Sequence, residues 1–185
     1  MVPVLSLWLP IILSAVAVFL LSSVIHMLFG YHHNDYGTLP DEAGVMDALR
    51  PFNLPPGNYA MPHARDTKDM NSPEYKAKYA KGPVGFLTVL RGGSMAMGKE
   101  LVQWFCYTLV VGIFAAYIAG RALGPGADYL EAFRFAGATA FIGYALALWQ
   151  NTIWYKINWT TTLKQTFDAL IYALFTGGIF GSLWP

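Results

Sequence analysis

The sequence predicts an all-α membrane protein: a four-transmembrane-helix bundle with a long, partly structured loop between helices 1 and 2. Three observations predict it. Only 12% of the 185 residues are charged, about half the roughly 25% usual in a soluble domain. Hydrophobic residues make up 55% of the chain and aromatic residues 16%. The apolar residues also gather in four blocks, about 7–30, 101–120, 129–154 and 163–184. Each block is near the roughly 20 residues that cross about 30 Å of hydrocarbon as a helix.

Backbone in lipid must satisfy its own hydrogen bonds, which makes these blocks helices. The short alternating segments of a membrane β-barrel are absent. The whole chain, 1–185, reads as a single membrane domain with an extramembrane segment at 31–100. The first block has no basic stretch before it and no small-residue cleavage pattern after it. It is expected to be a retained anchor rather than a signal peptide. Trp8 and Tyr31 stand at its ends, where aromatic belts form.

The link from the second block to the third carries Gly124-Pro125-Gly126, and the link from the third to the fourth, about 155–162, is also short. Short links make the last three helices antiparallel neighbours. The segment 31–100 is too long for a structureless loop in a compact protein. Thr38-Leu39-Pro40-Asp41 resembles a capping box that starts a short helix ending near Ala48 or Arg50. Residues 51–62 hold four prolines and are expected to be extended. Ser72-Pro73-Glu74 starts a second short helix that stops at Gly82. Val84–Leu90 and Ser94–Met97, on either side of Arg91-Gly92-Gly93, read as a β-hairpin.

Lys and Arg are concentrated in the long segment, from Arg50 to Lys99, with Lys156 and Lys164 on the same side. The positive-inside rule then puts segment 31–100 in the cytoplasm and both termini outside the inner cell membrane. A net charge of +1 supports no nucleic-acid partner. The lipid bilayer is one partner, and other membrane subunits or self-association are the next.

Small residues let helices approach closely in lipid. Gly112, Ala116 and Gly120 recur at spacing four, as do Ala132, Ala136 and Ala140, continued by Gly143 and Ala147. Ala169, Ala173, Gly177 and Gly181 form a third stripe. These are the expected packing faces. Helix 1 has fewer small residues and is expected to be more peripheral. Cys106, the one cysteine, cannot form an intrachain disulfide and is expected to be a small buried residue.

His26 is the only histidine inside a span, with Ser22 one turn before it. It is either a neutral histidine bonded within the bundle or a contact for a pigment, quinone or metal. Spans 2 to 4 contain no histidine, so an intrachain bis-histidine haem is not expected, while a single-ligand pigment or a site shared with another chain stays open. His32 and His33 follow the first span, and His63 lies beside Met61. With Met95 and Met97 they are candidate metal ligands, or alternatively interfacial residues packing a loop. Asp168 lies one turn after Lys164, and an i,i+4 pair explains it without invoking ion transport. Gln150, Asn151 and Asp168 are expected toward one membrane face, and Glu131 with Arg134 near the other. No nucleophile elbow, P-loop, HExxH or dinucleotide fingerprint is present.

Tyr31-His32, Asp35-Tyr36, Leu39-Pro40-Asp41-Glu42, Gly82-Pro83-Val84-Gly85, Gln103-Trp104-Phe105 and Gly181-Ser-Leu-Trp-Pro185 together resemble a family of bacterial four-helix integral membrane proteins with no assigned activity. The resemblance covers nearly the whole chain and implies no site. Three functional readings follow, in this order: a non-enzymatic structural or accessory subunit of a membrane complex; a redox-associated protein helping bind a pigment, quinone or metal through His26, His32 and His33; and a small transporter or channel.

Overall fold

A computed structural model describes residues 1–93 and 96–185. The chain is mostly helical with one two-stranded sheet among the described residues. It divides into two compact units, one of residues 1–37 and 96–185 and the other of residues 38–95.

The first unit is a helical bundle. Its long elements are α1 (Trp8–Leu28), a helix at Gly98–Ala122, a helix at Tyr129–Phe141 and a helix at Trp159–Ser182. The stretches Val4–Leu28, Gly98–Ala122 and Tyr129–Tyr155 are 25, 25 and 27 residues long and apolar enough to cross a membrane. Trp159–Ser182 is of similar length. Lys164, Gln165 and Asp168 near its start lower its mean hydropathy, and it is not among those three. The outward faces carry large apolar residues such as Leu20, Phe114, Phe135 and Phe175. Extensive apolar exposure of this kind requires a nonaqueous neighbour.

The second unit holds α2 (Glu42–Leu49), β1 (Gly57–Met61), α3 (Thr67–Met70), α4 (Pro73–Lys81) and β2 (Gly85–Val89). The expected cap of α2 moves from Thr38 to Asp41, whose carboxylate accepts the Gly44 N–H at 2.9 Å. Thr38 stands too far ahead of the first helical turn to reach its free N–H groups. The α4 helix has the expected ends, Ser72 accepting from the Tyr75 N–H at 3.1 Å and Gly82 in positive φ. The expected hairpin is corrected. Strand β2 pairs antiparallel with β1, with Tyr59 opposite Leu87. Gly57–Met61 lies between Pro56 and Pro62 and contains no proline, so its N–H groups are free to pair. Ser94 and Met95 lie outside the described residues, and Ala96 and Met97 are not in a strand.

With the long helices of the first unit continuing the numbering as α5 (Gly98–Ala122) and α6 (Tyr129–Phe141), helix α6 runs into a π-helical segment at Ile142–Leu146 and then α7 (Leu148–Tyr155). The last helix is α8 (Trp159–Ser182). It packs on α6, α6 on α5, α5 on α1, and α1 on α8. Helix α1 is therefore not peripheral; it buries Ile11, Ser14, Ala15, Val18, Ser22 and Ile25. Ser14 and Ser22 return their hydroxyl protons to carbonyls of their own helix, so they are small residues with no unmet polar group.

The stripe glycines sit where backbones come close. A Cβ on Gly177 would meet the Phe133 carbonyl oxygen at 2.7 Å, and one on Gly181 would meet the Tyr129 ring at 2.7 Å. A Cβ on Gly112 would lie 3.3 Å from the Ile11 carbonyl oxygen, and one on Gly120 would run into the Val2 carbonyl. Ala116 is fully buried and Ala173 nearly so. The third-helix stripe is corrected at one end. Ala132, Ala136 and Ala140 are fully buried, but Ala147 is exposed. A π turn carries more residues than an α turn, so it rotates the inward face onto Tyr144 and Ala145. Cys106 is also corrected: it is exposed on the outside of α5, because Trp104 and Thr108 take the inward positions on either side.

Candidate functional site

At one end of the bundle the turn after α1 meets α8. The short 3₁₀ turn Gly30–His32 carries Tyr31 and His32, and Asp35 follows it. Helix α8 starts earlier than expected, at Trp159, because the Asn158 side chain accepts the Thr160 N–H at 3.0 Å. Its next turns present Lys164 and Asp168 to that turn.

The ring of His32 lies between two carboxylates. Its Nδ1 is 2.7 Å from Asp35 Oδ2 and its Nε2 is 2.9 Å from Asp168 Oδ2. Carboxylates only accept, so both bonds form together when the ring carries both protons. Lys164 Nζ donates to Asp35 Oδ1 at 2.8 Å and also to the Tyr31 carbonyl. The Tyr31 hydroxyl donates to Asp168 Oδ1. Asp168 is 2% exposed and is the most buried charged group of the set. The expected Lys164–Asp168 pair is therefore replaced. Lysine preceding the acid at i,i+4 is the weaker order, and each group has a better partner across the turn.

Burial raises the phenol of Tyr31 above its ordinary range, and the bond to Asp168 with the nearby Asp168 and Asp35 charges pushes the same way. Burial works against charge on Asp35, but the hydrogen bonds from Lys164 and His32 overcome it and hold the carboxyl below its ordinary range.

His26 stacks on His32 with ring centres 4.5 Å apart and planes 5° from parallel. Its Nδ1 donates to the Ser22 carbonyl at 2.9 Å. A ring whose one proton sits on Nδ1 presents Nε2 as a lone-pair acceptor. His26, unlike the expectation for a bundle-interior histidine, is exposed, and it borders a cavity of about 550 Å³. The cavity lies between α1, α5, the π segment and α8. Trp104, Tyr107, Tyr144 and Tyr172 form its wall, with ring centres 5.6–6.2 Å apart. Trp104 Nε1 donates to Ser22 Oγ at 2.8 Å, and the Tyr107 hydroxyl donates to the Gly143 carbonyl at 2.6 Å. Tyr172 is 4% exposed, and among the described residues its hydroxyl has no hydrogen-bond partner.

His26, His32 and Asp168 bring ligand atoms within 4.8 Å of one another. Metal-binding lone pairs of imidazole lie in the ring plane. Stacked, parallel rings direct them along separate planes, so one ion cannot take both histidines as placed. His32 Nε2 and Asp168 Oδ2 are also already bonded to each other.

No family model, curated protein or solved structure matches the chain.

Among the described residues, the remaining sequence candidates make none of the bonds of this cluster. His33 is exposed and packs its ring over Gly30. His63 is exposed in the second unit, after β1. Gln150 and Asn151 are exposed on α7, and among the described residues no side-chain bond joins either to Asp168. Arg134 is exposed on α6; the Glu131 carboxylate accepts the Asp128 N–H at 3.3 Å instead of pairing with it. Sequence reasoning missed Asp35 and Tyr31 as partners of α8. It also missed the Trp104, Tyr107, Tyr144 and Tyr172 wall, whose only sequence signal is aromatic residues away from the span ends.

Proposed function

We propose that this chain is a four-span inner-membrane protein that binds a lipid-soluble ligand in the cavity between α1, α5, the π segment and α8. The cavity carries the reading. Its volume of about 550 Å³ falls in the usual range for small-molecule sites. It has an aromatic wall and one polar end at His26 and Asp168. Met27, Met97 and Leu101 on its lining are exposed, so a ligand dissolved in the bilayer has an apolar approach. The bundle interface that α8 makes with α1 and α6 supports its role as the fourth span. The lysines and arginines of residues 38–95 support a cytoplasmic location for that segment.

This develops the second of the three sequence readings. The test is gentle extraction of the full chain, followed by solvent extraction and mass spectrometry of what stays bound. A stoichiometric lipid-soluble compound, lost in Ser23→Leu, is the expected result, because Ser23 lines the cavity. Absence of any retained compound, together with stoichiometric companion proteins, would return the reading to an accessory subunit.

A further inference from the structure

Resting on the ligand-binding reading, the geometry points to a neutral ligand with a hydroxyl on an aromatic ring, a quinol or phenol-headed lipid, seated between His26 Nε2 and the Tyr172 hydroxyl.

Charge decides the first half. Besides His26, the acidic and basic side chains at the polar end are Asp168 and, behind it, His32, Asp35 and Lys164. Each acid of this set is bonded to a base and each base to an acid. A phosphate or carboxylate head would find no free cation there, and an ammonium head no free carboxylate. Burying either would leave a charge unpaired and out of water, which disfavours binding. A neutral head carries no such cost.

The hydrogen-bond inventory decides the second half. The protons on His26 Nδ1, Trp104 Nε1, Ser22, Ser23 and Tyr107 are all committed to acceptors inside the protein. Both oxygens of Asp168 are met, one by Tyr31 and one by His32. What remains, among the described residues, is an acceptor, His26 Nε2, and two phenol hydroxyls of the wall, that of Tyr172, which is buried without a partner, and that of Tyr144. The Gln165 amide on the same lining adapts to either role. A ring hydroxyl meets both needs, giving its proton to His26 and its oxygen lone pair to Tyr172. A quinone carbonyl or an ether oxygen answers only Tyr172. The four-ring wall favours a flat aromatic body over a flexible chain.

The experiment compares three probes on the full chain in detergent under anaerobic conditions: a short-chain alkyl benzoquinol, its quinone, and its dimethyl ether. Saturable binding is read by calorimetry. The quinol is expected to bind about ten-fold tighter than the other two, the worth of one good hydrogen bond. His26→Leu should bring the quinol down to the affinity of the ether, and His26→Gln, which keeps an acceptor, should restore part of the preference. Tyr172→Phe should weaken all three probes alike. Saturable binding of all three with equal affinity would overturn the hydroxyl assignment while leaving the cavity as a lipid-soluble ligand site. Binding by none, with a different compound retained from native membranes, would overturn the aromatic hydroxyl class alone. Binding by none and no retained compound would overturn both readings.

Discussion

His32 and Asp168 are 136 positions apart in sequence, yet Nε2 of one lies 2.9 Å from Oδ2 of the other. This bond, with that of Lys164 to Asp35, ties the turn after α1 to the start of α8. Asp168 is almost fully buried, so its partners matter more than those of a surface acid.

Asp168→Ala should therefore destabilise the bundle by about 3 kcal/mol, since removing one member of a buried pair strands the other. Arg134→Ala should change stability by less than about 0.5 kcal/mol, as exposed sites without such partners do. Thermal unfolding in detergent, followed by circular dichroism, checks both. Equal effects of the two substitutions would contradict the network.

The pH dependence has a definite sign at each end. Asp35 is held below its ordinary value of 3.8. Its contribution is fully present above that value and is lost as pH falls through the lower folded value. Tyr31 is held above its ordinary value of 10.0. Its contribution is fully present below 10.0 and declines as pH rises beyond it. Stability measured against pH should fall off on both sides, and Tyr31→Phe should remove the alkaline fall while sparing the acid one.

Gly177→Ala should cost about 1–3 kcal/mol by overpacking, because the new Cβ would meet the Phe133 carbonyl oxygen of α6 at 2.7 Å. Gly98→Ala, with nothing within 4 Å of the added carbon, should be close to neutral. Paired melting curves in the same detergent make the comparison. A neutral Gly177→Ala would mean that α6 and α8 are farther apart.

A nitroxide on Cys106, the single cysteine, should collide readily with dissolved oxygen and poorly with a water-soluble nickel chelate once the protein is in bilayers. The residue is exposed on α5, and its surroundings are apolar. Strong relaxation by the nickel chelate would place that face against water.

Lys76→Cys and Gly124→Cys, each in a Cys106→Ala background, should react with an impermeant maleimide from opposite sides of the membrane. The first is expected to label from the cytoplasm and the second from outside. Labelling of both from the same side would mean that α5 (Gly98–Ala122) does not cross the membrane.

Three of the four apolar blocks were legible as helices able to cross a membrane, because length and hydropathy decide what lipid accepts. The glycine and alanine stripes were legible too, since spacing four puts residues on one helix face wherever the helix is regular. Ala147 fell outside the stripe because a π turn leaves no mark in residue spacing. The strand Gly57–Met61 was read only as extended because its partner is about thirty residues away, and pairing at that distance has no local signature. His26 and Asp168 stood out as ionisable groups in apolar surroundings. Asp35 and Tyr31 did not, because nothing in a turn's sequence says which helix it will fold against.

The four-charge cluster has an electrical consequence. The turn after α1 contributes His32 and Asp35, and α8 contributes Lys164 and Asp168. With His32 carrying both protons, each side sums to zero. Pulling the turn away from α8 would move one positive and one negative charge together. The transmembrane voltage does work of about 2.3 kcal/mol per net elementary charge per 100 mV, and here the net charge carried is nil. Opening this end of the bundle would be indifferent to whether the membrane is energised.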